Sequence, residues 1–312
     1  MPKIFFLIFL FLAFLGESCK KPDKGDNSDS GCHSLPPSSS PFDYDLEEAP
    51  KNWEAAVFNP FNNNEIAYFV QTPIFFSNVY KASINDPGDT LMIAGNPLYY
   101  PKWSKNGWIL MGSLGGLLYK VKQSGDSLTP FNTFTSMNFY PDWSPDGKKI
   151  IFRGESSKVP GSLFMMNSDG SNEKEFLSIG DYPIWSPDGS KIAFAVDPYI
   201  GYADTLSRQI TVVKYLNGDA INGMAWFPDS KWIIYTANSG LYKINIDTKE
   251  TILFRTNCDS RGYGAPSVSS DGTQILVTRT DSKIIPPNTK FYEVTIWLMN
   301  ADGTNEHEVE LK

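Results

Sequence analysis

Pro141-Asp-Trp-Ser-Pro-Asp-Gly147 and Pro183-Ile-Trp-Ser-Pro-Asp-Gly189 are two nearly identical segments of this 312-residue sequence. In each of them proline presets φ for the first position of a turn, and glycine accepts a positive φ. The chain therefore reverses after an apolar strand and enters an alternating one, as in Ile150 and Phe152. Each segment predicts a β-hairpin.

The same pattern occurs in four weaker copies along the chain. The position of the tryptophan in the six copies is taken by Phe58, Trp103, Trp143, Trp185, Trp226 and Val268. The spacings between these anchor residues are 45, 40, 42, 41 and 42 residues. A fixed period of this length is typical of repeat folds, in which each repeat is one supersecondary unit.

A second strand pair around Asp-Gly follows in several copies, as in Leu163-Phe-Met-Met-Asn-Ser-Asp-Gly170. Four strands in about forty residues make one propeller blade, and a ring of blades leaves no long open edge. The predicted fold is all-β, a six-bladed β-propeller with four-stranded antiparallel blades. The pattern P-x-W-S-P-D-G-x-x-I-x-F resembles the WD-like repeat of TolB-type propellers, and the resemblance covers residues 51–312.

The N-terminus predicts export. Lys3 precedes an unbroken apolar run at 4–15, which is too short to span a bilayer but fits a signal peptide. Gly16 and Ser18 before Cys19 resemble a bacterial lipoprotein cleavage site, and this resemblance implies a signal peptide at 1–18 and a lipid on Cys19. An ordinary cleaved signal is the alternative. Either way we expect a protein of the bacterial cell envelope, facing the periplasm or the cell surface.

The segment at 19–50 is rich in Lys, Asp, Ser, Gly and Pro. Such a composition cannot bury enough apolar surface to fold, so it predicts a disordered tether between the anchor and the propeller. Cys32 in this segment and Cys258 in a loop can form a disulfide in an oxidising compartment, or can both stay as thiols.

The charge balance argues against a nucleic-acid partner. The formal net charge is −8, and the only basic cluster is the short group Lys20, Lys21 and Lys24. A nucleic-acid-binding face needs many cations to displace the counterions of the phosphates. The membrane is expected to be contacted only through the N-terminal lipid.

The repeated residues themselves are expected to be scaffold. The aspartates of the turns can bond the amides of their own turn. The tryptophans recur at the period of the blades and are expected to pack between blades. These two sets are Asp146, Asp188, Asp229 and Asp271, and Trp103, Trp143, Trp185 and Trp226.

A binding surface is expected where the repeats differ, because loops on such scaffolds carry function. Three segments, 197–207, 255–264 and 279–290, are predicted to be long loops on the face opposite the repeated turns. Their Arg, Tyr and Asp residues suit a protein partner. The candidate residues are Asp197, Tyr199, Tyr202, Arg255, Asp259, Arg261, Tyr263, Arg279 and Asp281. These segments can equally be variable surface loops, and the first depends on whether 209–215 is the third or the outermost strand of blade four.

Histidine use argues against the commonest enzymes. His33 and His307 are the only histidines of the sequence, one in the expected tether and one in the expected last strand. A Ser-His-Asp hydrolase or a His-ligated metal site needs imidazole at the funnel. We therefore expect a non-catalytic binding propeller, without cofactor or metal, whose partner is an envelope protein. A carbohydrate- or small-ligand-binding lipoprotein and a Ca²⁺-dependent hydrolase or lyase are the alternatives.

Overall fold

The structure is a computed structural model that describes residues 52–71, 77–86, 88, 90–95, 98–113, 115–155, 161–258, 260–285 and 289–311. The side chains of 52–53, 283–285 and 289–291 are not described. The signal peptide, Cys19 and the tether expected from the sequence lie outside these residues. Within the described ranges the regular structure is strand, and no helix there is long and apolar enough to cross a membrane.

The chain forms a six-bladed β-propeller, as the repeats predict, and every blade is an antiparallel sheet of four consecutive strands. Blade one consists of β1 Asn52–Asn59, β2 Asn62–Gln71, β3 Ser77–Ser83 and β4 Thr90–Gly95. Blade two consists of β5 Leu98–Trp103, β6 Trp108–Ser113, β7 Leu118–Lys122 and β8 Thr129–Pro130. Blade three consists of β9 Met137–Trp143, β10 Lys149–Glu155, β11 Ser162–Asn167 and β12 Lys174–Leu177. Blade four consists of β13 Asp181–Trp185, β14 Lys191–Val196, β15 Tyr199–Asp204 and β16 Ile210–Tyr215. Blade five consists of β17 Ile221–Trp226, β18 Trp232–Ala237, β19 Gly240–Asn245 and β20 Thr251–Thr256. Blade six consists of β21 Arg261–Val268, β22 Gln274–Ile285, β23 Thr289–Asn300 and β24 His307–Glu308.

The first strand of each blade lines the centre of the ring. These six strands contact one another in sequence, β1 against β5 and so on around to β21 against β1. The anchor residues of the repeat lie at the ends of these strands, for example Trp143 as the last residue of β9 and Val268 as the last of β21. The repeated turns therefore all lie on one face of the ring, which we call the hairpin face.

Six apolar clusters hold the blades together, one at each blade-to-blade interface. Apolar residues of β10 point alternately to the two sides of the blade and contribute to two of these clusters. Ile150 and Phe152 pack against blade two, whereas Ile151 packs against blade four. The second strand of a blade is thus buried on both sides, which explains why its sequence is apolar over several consecutive residues.

The turn aspartates are scaffold, as expected. The Oδ1 atom of Asp146 accepts hydrogen bonds from Ser144 Oγ at 2.7 Å and from the Lys148 amide at 3.1 Å. The bond from Ser144, with the amide bonds of the turn, lowers the pKa of Asp146. Asp188, Asp229 and Asp271 accept equivalent amide bonds from their own turns.

The tryptophans join neighbouring blades. The Nε1 atom of Trp143 donates to the Lys102 carbonyl of blade two at 3.1 Å, and that of Trp226 donates to the Ile184 carbonyl of blade four at 3.3 Å. Trp103 and Trp185 pack against the clusters at their own interfaces. Their repetition reflects packing between blades.

The three predicted long loops are shorter than expected. In blade four Asp197-Pro198 is a two-residue connection, Tyr199–Asp204 is the third strand, and Ile210–Tyr215 is the outermost one. The segment 255–264 is mostly strand, with a connection only at 257–260. The segment 279–290 extends β22 and β23 into a hairpin of twelve-residue strands. The prediction of long loops was therefore wrong, because polar residues in these segments lie on strands that continue past the core.

Inter-blade packing predicts unequal effects for two phenylalanines. Phe152 is fully buried between blades two and three, whereas Phe61 is 66% exposed in the first turn. We expect Phe152→Ala to lower the free energy of unfolding by about 4 kcal/mol, because it removes a large side chain and leaves a cavity. Phe61→Ala is the matched control and should change it by less than about 0.5 kcal/mol. Urea unfolding measures both, and similar effects of the two changes would contradict this account of the core.

Candidate functional site

The face opposite the hairpin face carries the connections from the second to the third strand of a blade and from one blade to the next. We call it the loop face. The central channel opens on it, and most of the residues proposed from the sequence as a binding surface lie on or near it.

The inner strands are bulged at equivalent positions. The residue three places before the anchor has a left-handed backbone in five blades: Ala55, Tyr100, Tyr140, Tyr182 and Ala265, with φ between 40° and 52°. In blade five this position is Gly223. A bulge inserts an extra residue and redirects a side chain, and such positions are common beside functional sites.

Three tyrosines from these bulges close one side of the channel. The ring centroids of Tyr100 and Tyr140 are 5.3 Å apart, and those of Tyr140 and Tyr182 are 4.1 Å apart. Ala55, Gly223 and Ala265 complete the lining at the same level. The cavity left between them has a volume of about 60 Å³. This is far below the roughly 300 Å³ of an ordinary ligand pocket, so the channel is filled by side chains at its narrowest level.

A carboxyl group lies beside this level. Glu54 precedes Ala55 on β1. Burial raises the pKa of Tyr99 and of Tyr100, and the electrostatic effect of Glu54 adds to both shifts. Burial raises the pKa of Glu54 itself to about 7. A group of this kind is neutral below pH 7 and becomes charged as the pH rises through neutrality.

A larger cavity opens on the loop face between blades four and five. Its volume is about 280 Å³, and Asp181, Asp197 and Asp219 are its charged lining residues. Burial raises the pKa of Asp181, although the nearby Arg153 guanidinium, 3.7 Å away, opposes the shift. Asp219 accepts hydrogen bonds from the amide and the hydroxyl of Ser239. We call this site the acidic cavity.

A network of charged side chains joins blades five and six. The carboxylate of Glu306 accepts hydrogen bonds from Arg255 Nε at 2.6 Å and from the Tyr263 hydroxyl at 3.0 Å. It also lies 3.7 Å from Arg279 Nη1. Asp281 in turn accepts from Arg279 Nε at 2.7 Å and from Arg261 Nε at 3.1 Å. We call these six residues the blade 5–6 network.

The network is mostly shielded from solvent. Its Arg and acidic side chains are between 12% and 22% exposed. The Arg279 guanidinium also lies over the Trp297 ring at 3.5 Å from its centroid. Removing one partner of a shielded ion pair leaves the other charge uncompensated, so the side chains of this network depend on one another.

The structure thus groups most of the residues proposed from the sequence. Arg255, Arg261, Tyr263, Arg279 and Asp281 meet in the blade 5–6 network, and Asp197 lines the acidic cavity. Tyr199 and Tyr202 lie instead on β15 and pack against the clusters on its two sides. Asp259 lies outside the described residues.

Hydrogen bonds connect the acidic cavity to the blade 5–6 network. Ser239, which donates to Asp219, accepts with its carbonyl from the Asn257 amide at 3.0 Å. The side chain of Asn257 then accepts from the Tyr263 amide at 3.1 Å. Hydrogen bonds therefore link the two sites across blades four to six.

Two observations concern possible metal ligands in the part of the chain that the structure describes. No group of three or more His, Cys, Asp or Glu residues there is arranged to hold a metal ion. His307 is the one histidine within the described ranges, and it lies on the outermost strand of blade six. Its Nδ1 atom lies 2.9 Å from the Asn305 carbonyl oxygen.

Sequence reasoning missed the channel tyrosines and Glu306. The tyrosines had a signal, because Tyr-Pro precedes the anchor in three successive copies at 100–101, 140–141 and 182–183. Glu306 had none, since its partners Arg255 and Tyr263 are 51 and 43 residues away along the chain.

Solved structures share this architecture at low sequence identity. A putative TolB from Agrobacterium tumefaciens is 18% identical, with a TM-score of 0.62 over 84% of this chain and 90% of that chain. TolB from Acinetobacter baumannii is also 18% identical, with a TM-score of 0.64 over 79% of this chain and 63% of that chain. An oligogalacturonate lyase in complex with manganese is 13% identical, with a TM-score of 0.53 over 78% of this chain and 76% of that chain.

The sequence matches no family model, and no curated protein matches it significantly. The fold and the comparisons define the chain as a six-bladed β-propeller. More particularly, its fold is similar to that of the two TolB structures. Similarity at this level of identity establishes the fold, and the function has to be argued from the residues of this chain.

The position of Glu54 predicts a pH dependence of stability. Its pKa is raised from 4.5 to about 7, so its contribution is fully present below pH 4.5 and is lost as the pH rises through 7. We expect Glu54→Gln to be more stable than the unmodified protein by about 2–3 kcal/mol at pH 8, and close to it at pH 4.5. Urea unfolding at both pH values measures this, with the exposed Glu175→Gln as control. Parallel pH profiles for Glu54→Gln and the unmodified protein would contradict the assignment.

Proposed function

We propose that this chain is an exported, lipid-anchored, non-catalytic binding propeller of the bacterial envelope, and that its loop face receives a basic segment of a protein partner. The acidic cavity carries the proposal. It is the larger of the two cavities described above, three carboxylates line it, and hydrogen bonds link it to the blade 5–6 network.

Electrostatics favours a cationic segment. Asp197 and Asp219 face an open cavity of about 280 Å³, large enough for a Lys or Arg side chain. The whole chain has a net charge of −8, which adds a long-range attraction for a basic partner. Complementary charge of this kind raises the rate of association and selects among partners.

The rim of the surface offers groups that often anchor protein interfaces. Arg261, Arg279 and Asp281 are held in place by one another, so they would contact a partner without a large loss of side-chain freedom. Arg and Tyr are enriched among the residues that contribute most to binding, and pre-ordered side chains lower the entropic cost. With Asp259, which lies outside the described residues, these three residues are the proposed rim, whereas Tyr263 is buried in the apolar cluster between blades five and six.

The N-terminal segment supports the location. The apolar run at 4–15 and the Gly16 to Cys19 junction fit export followed by lipidation of Cys19. The segment that follows, up to residue 50, would give the propeller freedom to reach a partner in the envelope. Anchoring one face of a binding module near a membrane raises the effective concentration of partners held there.

The proposal predicts a salt-sensitive interaction that depends on the acidic cavity. The full chain and the double variant Asp197→Asn/Asp219→Asn are purified from cells and used to capture proteins from envelope extracts. We expect a specific partner for the unmodified chain, with binding at least tenfold weaker for the double variant and weaker still at high salt, because two facing carboxylates are lost.

The matched control is Asp247→Asn, an exposed carboxylate on the hairpin face with the same change of charge per site. It should bind the partner as the unmodified chain does. Equal weakening by Asp247→Asn would indicate a general effect of net charge, and unchanged binding by the double variant would refute the acidic cavity as the site.

Carbohydrate or cation binding is the second candidate, and one observation favours it. The lyase in complex with manganese shares this fold, and the acidic cavity approaches the size of a small-ligand pocket. Calorimetric titrations with Ca²⁺, Mn²⁺ and oligogalacturonate should show no binding heat under the proposed function. Binding that disappears in Asp197→Asn/Asp219→Asn would instead assign the cavity to a cation or sugar.

A further inference from the structure

The sequence contains three Asn-Gly pairs, Asn106-Gly107, Asn217-Gly218 and Asn222-Gly223. In such a pair the backbone nitrogen of the glycine can attack the side-chain amide of the asparagine, because glycine has no side chain to hinder the approach. Asparagine is accordingly among the residues that limit the chemical durability of proteins. All three pairs lie within the described residues, and the fold places them in very different surroundings.

The pair Asn106-Gly107 is held by the hairpin turn of blade two. The Gly107 amide donates to the Ser104 carbonyl at 3.2 Å. The Asn106 side chain donates through Nδ2 to the Gly147 carbonyl of blade three at 3.5 Å. The attacking nitrogen and the leaving amide are therefore both engaged, and these hydrogen bonds have to break before the two groups can react.

The pair Asn222-Gly223 lies inside a strand. Gly223 belongs to β17 and is paired with Thr236 on β18. A Cβ added at Gly223 would lie 3.0 Å from Pro266 Cδ and 3.2 Å from Ala265 Cα, so the glycine has close neighbours. Rotation of this peptide unit, which the attack requires, would disturb the pairing of β17 with β18.

The pair Asn217-Gly218 lies on the loop face, in the connection from blade four to blade five. It forms the centre of a tight turn, in which the Asp219 amide donates to the Leu216 carbonyl at 3.0 Å. Both central residues are exposed and have a left-handed backbone, with φ of 52° and 87°. A Cβ added at Gly218 would meet no atom within 4 Å. Within the described ranges, neither the Gly218 amide nor the Asn217 side chain makes a hydrogen bond.

We propose that Asn217 is a deamidation site, and that its reaction adds a carboxylate at the edge of the acidic cavity. The Gly218 nitrogen loses its proton and bonds to Cγ of Asn217, and the side-chain nitrogen takes up a proton and leaves as ammonia. The product is a five-membered imide. Water then opens either carbonyl of the imide, which gives aspartate or isoaspartate. One amide and one water become a carboxylate and an ammonium ion, so no oxidant or further reactant is needed.

The new charge lies beside existing ones. Gly218 and Asp219 both line the acidic cavity. The Leu216 amide donates to the Pro198 carbonyl at 2.8 Å, which holds the connection against Asp197-Pro198. The reaction therefore raises the negative charge at the cavity while the strands around it stay as they are. Its consequence for a partner rests on the proposed function: the attraction for a basic segment increases as the protein ages.

Peptide mapping of the full chain tests the site. After incubation at pH 8, digestion with trypsin under mildly acidic conditions releases peptides 106–120 and 215–231, and the second carries both Asn217 and Asn222. Tandem mass spectrometry locates the exchange of NH₂ for OH. We expect residue 217 to convert at least about fivefold faster than residues 106 and 222, since its glycine amide has no hydrogen bond to break. A rate at residue 217 equal to or below that at residue 106 or 222 would overturn the proposal.

Unfolding separates the effect of the fold from that of the sequence. In guanidinium chloride at the same pH all three pairs lose their contacts, so we expect the three rates to agree within about twofold. An undiminished preference for residue 217 in the unfolded chain would refute the structural account. In the folded chain, Asn217→Gln is the control and should remove the conversion at residue 217 while residues 106 and 222 react as before.

The effect of the charge is measured by fluorescence anisotropy with a fluorescein-labelled octalysine peptide at low salt. Asn217→Asp reproduces one product of the reaction, and we expect it to bind the peptide about threefold more tightly than the unmodified chain. Asn172→Asp is the matched control, because Asn172 is also exposed with a left-handed backbone but lies on the hairpin face. It should bind as the unmodified chain does.

The outcomes distinguish this inference from the proposed function. If residue 217 does not convert while Asp197→Asn/Asp219→Asn loses the partner, the deamidation site is refuted and the proposed function stands. If residue 217 converts but Asn217→Asp and Asn172→Asp bind octalysine equally, the reaction stands and its effect on the cavity is refuted.

Discussion

The fold depends on the two-sided burial of the second strand in each blade. In β10, Ile150 and Phe152 enter one interface and Ile151 enters the next, and β18 shows the same division between Tyr235 and Ile234. Every blade is therefore a wedge between two apolar clusters, and a blade removed from the ring would expose both. The repeated tryptophans contribute to this packing between blades, and the turn aspartates accept hydrogen bonds from their own turns. Both sets of residues therefore have a structural role.

A scaffold of this kind is readable from the sequence because its signals are local. Each Ser-Pro-Asp-Gly turn, with its following alternation, specifies one hairpin within about twelve residues, and the period supplies the count of blades. The same local rule failed at 197–207. There the sequence predicts a long loop that starts at Asp197-Pro198, whereas these two residues are the whole connection and Tyr199 begins a strand. Proline indicates a chain reversal both in the Ser-Pro-Asp-Gly turns and at Asp197-Pro198, but it does not indicate how many residues the connection contains.

The surface was only partly predictable. Arg, Tyr and Asp residues stood out by composition, and five of them do meet, but Glu306 holds that group together from a distant turn. Long-range pairing of this kind depends on how blades are placed in the ring, which no window of sequence contains. The channel tyrosines show the converse. Their Tyr-Pro signal was local and repeated, yet its meaning depends on a bulge that turns the side chain into the channel.

Because the central channel is nearly closed, a binding site is expected on the loop face and not inside the channel. With Tyr100, Tyr140 and Tyr182 filling one side and only about 60 Å³ left between the walls, a partner cannot thread through the ring at this level. Any group entering from the loop face meets the tyrosine layer, with Glu54 beside it and Asp181 at its edge. Burial raises the pKa of Glu54 to about 7, so this carboxyl holds its proton to near neutrality.

The carboxylates of the acidic cavity, in contrast, border open space. A cationic group can reach them at little desolvation cost, whereas at the depth of Glu54 it would have to shed its hydration to pair with a carboxyl that is neutral below pH 7. The strongest attraction for a basic partner is therefore expected at the acidic cavity between blades four and five and not at the axis of the ring.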